Sequence, residues 1–490
     1  MIGSITMHRT SISPRRVEEL LPASDLRVAA TDLAAAAEAR TASNSPRGPC
    51  PALIAPRSSR PPSRWGRGGT ALLTAMPLTL CDAFLVSDGV IRNCLTDDVN
   101  ATDDVISYWK EPPVIDHRDP HTGLHSERGA LSGEHRGRAA NPVVKVQDLA
   151  WLEFVKPDLK RAEVFAGAFG FATSLRTEHE LHLRGTDEGA PCVIIRKGPR
   201  SAFLGPAFRA AESSDVLRLA EATGHRVTEL PETLGGLTVD LLDPSGLRVR
   251  VVSGADDLPA LPAQAPHTFN FGHEARRTNA TQRPLREPAR VQRLGHVVLQ
   301  TTTYRQTLDW YLKHLGLIVS DFLYYPGQRE RGPVMSFIRC DRGATPADHH
   351  TLALALGPAN RYVHSAYQVA DLDALAAGGE YLHDHGYQRS WGIGRHIQGS
   401  QIFDYWRDPD GFLVEHFSDG DLFDCTLEPG WAPMTASGLA QWGPPATADF
   451  LGVKPGKESL RELRTVFSAL RDDNEFDLRR LLGLMKAART

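Results

Sequence analysis

The sequence predicts a fold of mixed helices and strands in two consecutive blocks, each with the outline of a pair of βαβββ modules. Two observations carry this. The order strand, glycine-stopped helix, short strands, helix, turn, strand runs once over 145–255 and again over 291–425. The tetrapeptides Asp243-Pro-Ser-Gly and Asp408-Pro-Asp-Gly stand at the same place near the end of each block, each leading into a strand, which marks an internal duplication.

In the first block, 149–155 (Leu-Ala-Trp-Leu-Glu-Phe-Val) reads as a strand. Asp158 is then the N-cap of a helix over 159–169, and Gly170 stops it. β-rich runs follow at 180–185 and 192–196, a second helix begins near Ser214, and the Asp243 turn leads into the closing strand. The second block repeats this with a strand at 294–299, a helix over 304–315 ended by Gly316, and strands at 334–340 and 351–356. A helix from Asp371 and the closing turn and strand over 408–417 complete it.

Outside the blocks the composition changes. The first 70 residues hold ten Arg, no Lys and five acidic residues among many Ala, Ser and Pro. The stretch 51–69 is low-complexity and lacks the apolar surface to offset its ordering entropy. Residues 1–75 are therefore expected to be a disordered tail, sequence upstream of the true start at Met76, or a basic tether. Residues 76–144 read as a loop-rich arm, 256–290 as a linker rich in Pro, Arg and Asn, and 426–490 as a helical C-terminal tail. In that tail Leu460, Leu463, Val466, Phe467 and Leu470 fall at helical spacing and are expected to dock on the protein's own core.

Composition excludes several function classes. Of 490 residues 41% are hydrophobic and 23% charged, a globular balance. The 55 basic and 59 acidic residues leave a net charge of −4, with no general pull toward nucleic acid or membrane. The longest apolar candidate, 71–86, is interrupted by Pro77 and Asp82, so no membrane span is expected. The N-terminus lacks the basic-then-apolar order of a secretory signal. Six cysteines without C-x-x-C spacing point to free thiols and a cytoplasmic location.

Three potential ligands occupy comparable module positions in the second block. His296 and His364 lie in apolar strands, and Glu415 lies in the strand after the Asp408 turn. A carboxylate on a half-buried strand is costly unless paired or bound to a metal. Two imidazoles and one carboxylate on one face form the facial triad suited to Fe(II), with three positions left open. Each residue alone has an ordinary structural reading; the matched module positions give the set its weight.

With these residues the sequence resembles the type I extradiol ring-cleaving dioxygenases of the vicinal oxygen chelate superfamily, over about 145–425 and most sharply over 291–420. The resemblance implies an α+β fold of two tandem vicinal-oxygen-chelate domains, a non-catalytic one at 145–255 and a catalytic, metal-binding one at 291–425. It implies Fe(II), with Mn(II) as an alternative, held by His296, His364 and Glu415. Asp348-His-His-Thr-Leu-Ala resembles the strand bearing the family's acid–base histidine; His350 is the better match, and His349 beside it can be confused with it. Gly394-Arg-His-Ile resembles the loop whose histidine steadies the catecholate, giving His396. Tyr405 stands ten residues before Glu415, where the family places a tyrosine that hydrogen-bonds a substrate oxygen.

The implied activity is extradiol cleavage of a catecholic compound by O2, in aromatic catabolism, by a cytoplasmic homo-oligomer with no nucleic-acid or membrane partner. Two alternatives stay open: a glyoxalase-like metal-dependent lyase or isomerase, and a non-enzymatic small-molecule-binding member of the superfamily. The first block fits by what it lacks, since Trp151, Gly205 and Arg250 stand where His296, His364 and Glu415 stand. His273, His314, His383 and His416 are read as structural or surface residues.

Overall fold

In the computed structural model, residues 127–452 and 457–489 are described. The expectations for 1–75, and for the arm up to residue 126, lie outside them. The first block forms β1 (Asp148–Lys156), α1 (Leu159–Phe169), β2 (Ala172–Arg176), β3 (Glu180–Arg184) and β4 (Val193–Lys197), then β5 (Ala202–Arg209), α2 (Ser213–Thr223), β6 (Val227–Glu229), β7 (Leu237–Leu242) and β8 (Arg248–Ser253). The second forms β9 (Arg293–Thr301), α3 (Tyr304–Leu315), β10 (Leu317–Tyr324), β11 (Met335–Cys340) and β12 (Leu352–Leu356), then β13 (Arg361–Gln368), α4 (Leu372–Asp384), β14 (Gln388–His396), β15 (Ile402–Arg407) and β16 (Leu413–Ser418). The sheet orders are β2-β3-β4-β1-β5-β8-β7-β6 and β10-β11-β12-β9-β13-β16-β15-β14, the same topology twice. The duplication extends to burial: β1 and β9 share one sequence of buried and half-buried positions, and so do β5 and β13.

Local chemistry explains the elements. The Asp158 carboxylate accepts from Arg161 N (2.9 Å), capping α1. Gly170 ends α1 in the left-handed region (φ 107°), and a Cβ there would lie 1.7 Å from the Ala289 carbonyl oxygen, so the linker can pass only over a glycine. In each terminal turn the aspartate organises its own loop: Asp243 accepts from Ser245 N and Leu247 N, and Asp408 from Asp410 N and Phe412 N. Each then reaches the other block, Asp243 through the Tyr311 hydroxyl (3.1 Å) and Asp408 through Lys156. An aromatic cluster of Phe154, Phe203, Tyr362 and Phe412 fills the seam between them.

One face of the second sheet packs on α3 through Val297, Leu299, Val319, Ile338, Leu352 and Leu354. Strict alternation along β9 would put Leu294 and His296 on the same face. A bulge between them, at Gly295, sends Leu294 to the helix side and His296 to the opposite face. β1 has the same bulge between Leu149 and Trp151, and β10 has one between Val319 and Asp321.

The tail completes the second sheet at both edges. Gly430–Pro433 pairs parallel to β10 and antiparallel to Glu127–Arg128, while Ala440–Trp442 pairs antiparallel to β14. Helices α5 (Lys457–Ala469) and α6 (Leu478–Ala487) follow. The docking stripe expected on α5 is corrected. Leu463 and Phe467 are 51% and 59% exposed, and only the C-terminal end, at Ala469 and Leu470, meets the core. The Leu460 side chain lies outside those described. The helix meets the apolar core by its C-terminal end and otherwise reaches the domain through the Glu462–Arg361 ion pair (3.1 Å), leaving Leu463 and Phe467 to solvent. No helix among the described residues is long and apolar enough to cross a membrane.

The first sheet cannot host the second sheet's ligand set. Gly205 has φ 145°, and a Cβ there would lie 1.9 Å from the Arg248 carbonyl oxygen, so a histidine is excluded sterically. The space is filled by Trp151, Leu230 and Leu234, and by Glu153, whose oxygens accept from Arg250 (2.7 Å), Arg248 (2.6 Å) and Arg196. Burial alone would raise the Glu153 carboxyl, but the three guanidinium groups outweigh it and hold it at about 2, against an ordinary 4.5. A depressed folded-state pKa contributes stability that is present above the unfolded value and lost as pH falls through the folded one. Glu153→Gln is therefore expected to cost about 3 kcal/mol near neutral pH. That difference should vanish as pH falls from about 4.5 to about 2, read from urea midpoints of the two proteins.

Candidate metal centre

The site is built on a cross-strand row. His296 on β9 lies opposite Ala366 on β13, Ala366 opposite Glu415 on β16, and Glu415 opposite Tyr405 on β15. Ala366, fully buried, leaves room between the two outer side chains, and His364 projects from the same strand two residues earlier. The corresponding row of the first sheet is Trp151, Ala207, Arg250 and Asp240, with a guanidinium–carboxylate pair where Glu415 and Tyr405 stand.

The three ligand atoms converge. His296 Nε2 and His364 Nε2 are 3.3 Å apart, and Glu415 Oε2 is 3.4 and 3.3 Å from them. Three donors at right angles about 2.1 Å from a shared ion would stand about 3 Å apart, so the set fits a first-row divalent ion without rebuilding. Glu415 is fully buried, and among the described residues no donor of ordinary hydrogen-bond geometry reaches either of its oxygens. That is the state of a carboxylate whose charge is directed at a cation. Among the described residues this is the one cluster of three such ligands.

Electrostatics keep the donors in binding form. Burial would raise the Glu415 carboxyl, but His296 and His364 outweigh it and hold it below the usual carboxylate range. Burial lowers His364, against the pull of Glu415, favouring the neutral imidazole that a metal requires.

The other residues named from sequence surround this cluster. His350 is buried with its ring centroid 3.9 Å from that of His296, and it sits on the approach to β12 rather than within a strand. Burial and the imidazoles of His296, His349, His364 and His396 push it well below an ordinary histidine. His349 turns toward Asp321 and Phe423, while the His350 ring lies against His296, so it is His350 that faces the ligand set. His396 lies at the end of β14, not in a loop, because Ala440–Trp442 extends the sheet over it. Its Nδ1 donates to the Leu439 carbonyl (2.7 Å), and its Nε2 is 2.9 Å from the Tyr405 hydroxyl. Burial lowers His396 to about 4; burial and then Glu415 push Tyr405 well above an ordinary phenol.

His416 faces away from the site, stacked on Phe169 with Nε2 2.7 Å from its carbonyl. His273 is exposed. Two contributors escaped the sequence reading. The tail supplies Leu439 and Phe450, the latter 4.9 Å from the Tyr405 ring, and nothing in its composition announces this. Asp321 could have been noticed as a lone carboxylate in the apolar run of β10.

Residues 293–416, which contain all six named positions, match the family model described as Glyoxalase/Bleomycin resistance protein/Dioxygenase superfamily. Metapyrocatechase 2 of Cupriavidus necator is 28% identical over 323 residues, 66% of this chain and 96% of that protein. The Mn(II)-bound glyoxalase from Novosphingobium aromaticivorans superposes with a TM-score of 0.52 at 23% identity, covering 62% of this chain and 94% of that one. An extradiol ring-cleaving dioxygenase from B. fuscum superposes with a TM-score of 0.52 at 18% identity, covering 64% and 84%. These two likenesses are likenesses of fold.

Proposed function

We propose that this chain, whose residues 293–416 form a domain of the glyoxalase/bleomycin resistance protein/dioxygenase superfamily, is an extradiol dioxygenase that opens a catecholic ring with O2 at an Fe(II) held by His296, His364 and Glu415. The observation that carries the reading is one buried face holding both a three-ligand set and a separate acid–base group, His350, His396 and Tyr405. The similarity to metapyrocatechase 2 along nearly the whole of that protein supports it. Mn(II) suits the same donors.

When bound, the metal supplies Lewis acidity toward a catechol hydroxyl and a path for electrons from the ring to O2. The chain's own residues handle protons and charge. His350 takes the second hydroxyl proton at Nε2, since its Nδ1 is occupied by His349 (3.0 Å). It returns that proton to oxygen as the O–O bond breaks. His396 carries its own proton on Nδ1, facing a carbonyl that can only accept, so its Nε2 accepts from Tyr405. That hydroxyl hydrogen can be redirected to a substrate oxygen as negative charge develops there. Both atoms of O2 enter the product, a ring-opened acid bearing an aldehyde or ketone.

The glyoxalase-like alternative shares the fold. A ligand set drawn from one sheet, with Trp151, Gly205 and Arg250 closing the other, favours ring cleavage. The test is anaerobic loading with Fe(II), then O2 uptake with catechol, 3-methylcatechol, 2,3-dihydroxybiphenyl and homoprotocatechuate. One O2 consumed per catechol, with a yellow product, is the expected result. Metal-loaded protein that consumes no O2 with any of them but isomerises a thiol adduct of an α-ketoaldehyde would replace this reading with the lyase/isomerase one.

A further inference from the structure

Behind His350 lies a buried polar chain that the metal set does not use. Asp321 Oδ2 is 2.6 Å from His349 Nε2, and His349 Nδ1 is 3.0 Å from His350 Nδ1. Asp321 and His349 are each 1% exposed and His350 4%. The bulge in β10 takes Asp321 out of the helix-side core that alternation from Val319 would give it and aims it at His349. The backbone of the same histidine is pinned: its carbonyl accepts from Ser320 Oγ (2.6 Å), and that hydroxyl accepts from Arg339 Nη1 (2.8 Å). Arg339, itself fully buried, also donates to the carbonyls of Val319, Asp424 and Leu427.

We propose that Asp321 and His349 are positioning residues that fix the tautomer of His350, so that the proton sits on Nδ1 and the basic lone pair on Nε2 faces the substrate. The argument is one of donor counting at constant charge. A carboxylate only accepts, so with one proton on the His349 ring that proton lies on Nε2. Its Nδ1 must then accept, and among the described residues the hydrogen that can point at it is the one on Nδ1 of His350, 3.0 Å away. A neutral His350 has a single proton, so its Nε2 is bare. A histidine free to exchange tautomers would present an N–H to the substrate for part of the time, the wrong group for taking a proton.

This rests on His350 being the base proposed above, but the tautomer can be read without turnover. The full chain, 15N-labelled at histidine and loaded with Zn(II) to keep it diamagnetic, is examined by long-range 1H–15N NMR, with His350 assigned by its loss in His350→Gln. The expected spectrum shows a protonated Nδ1 and an unprotonated Nε2 for His350. Asp321→Asn, which can donate as well as accept, should introduce an Nε2-protonated population. On the Fe(II) protein it should lower kcat about 10- to 100-fold with KM within about twofold. His349→Gln, whose amide oxygen can accept at the same place, should keep most of the wild-type tautomer. A wild-type His350 protonated on Nε2, or an Asp321→Asn protein with unchanged tautomer and kcat, would overturn the proposal. A fixed tautomer in a protein that cleaves no catechol would instead count against the dioxygenase reading alone.

Discussion

Glu415→Ala is expected to abolish metal binding and with it ring cleavage. The carboxylate is the only anion in the three-ligand set; without it two neutral imidazoles 3.3 Å apart must hold a divalent ion with no charge compensation in a buried site. Metal content after Fe(II) loading and desalting should fall from about one per chain to below a tenth. Turnover should fall at least about a thousandfold, the scale of several kcal/mol of Lewis-acid stabilisation. Glu415→Asp keeps the charge but withdraws the oxygen by one carbon–carbon bond, so it should retain part of the metal and little activity. Full metal occupancy in Glu415→Ala would remove this residue from the ligand set. The fold should survive, because the first sheet has the same topology with Arg250 at that position.

His350→Gln is expected to keep its metal and lose turnover, the opposite pattern. The His350 ring packs beside His296 but belongs to no converging set of ligand atoms. Glutamine keeps much of the volume and a polar end, leaving metal content near that of the wild type. It cannot take a proton from a catechol hydroxyl and return it, so kcat should fall by about 10² to 10⁴. Substrate binding should weaken little, since the metal that His296, His364 and Glu415 would hold, and with it the proposed anchor for a catechol, would remain. The Fe(II) content, the anaerobic binding isotherm for catechol and kcat together check this. Loss of iron in His350→Gln would make it a ligand or a support for His296, and unchanged kcat would pass the base to another group.

The legible part of the site is the part encoded by short spacings. His296, His364 and Glu415 each fall at a fixed place in a strand that the duplicated pattern locates, and His396, Tyr405 and Glu415 are close enough in sequence to read as one motif. The equivalences with Trp151, Gly205 and Arg250 hold in the strand pairing, because both sheets share one topology and β1 and β9 carry the same bulge. The α5 stripe misled because periodicity reports which side chains share a face, not whether another surface meets it.

By itself the sequence determined the twofold repeat and the order of elements, and it singled out six side chains of types that can bind metal or move protons, since each depends on residue type and short-range spacing. Only the tertiary structure decided which way those side chains face. The bulges at Gly295 and between Val319 and Asp321 turn His296 and Asp321 off the helix side, and that reversal follows from strand pairing rather than alternation. The neighbours His349 and His350 part company because only one can point at His296 once the other is tied to Asp321. The Leu439 carbonyl reaches His396 because the tail adds a strand at the sheet edge, bringing together residues 43 positions apart. Backbone hydrogen bonding between distant segments makes these choices, and no local pattern in the chain records them.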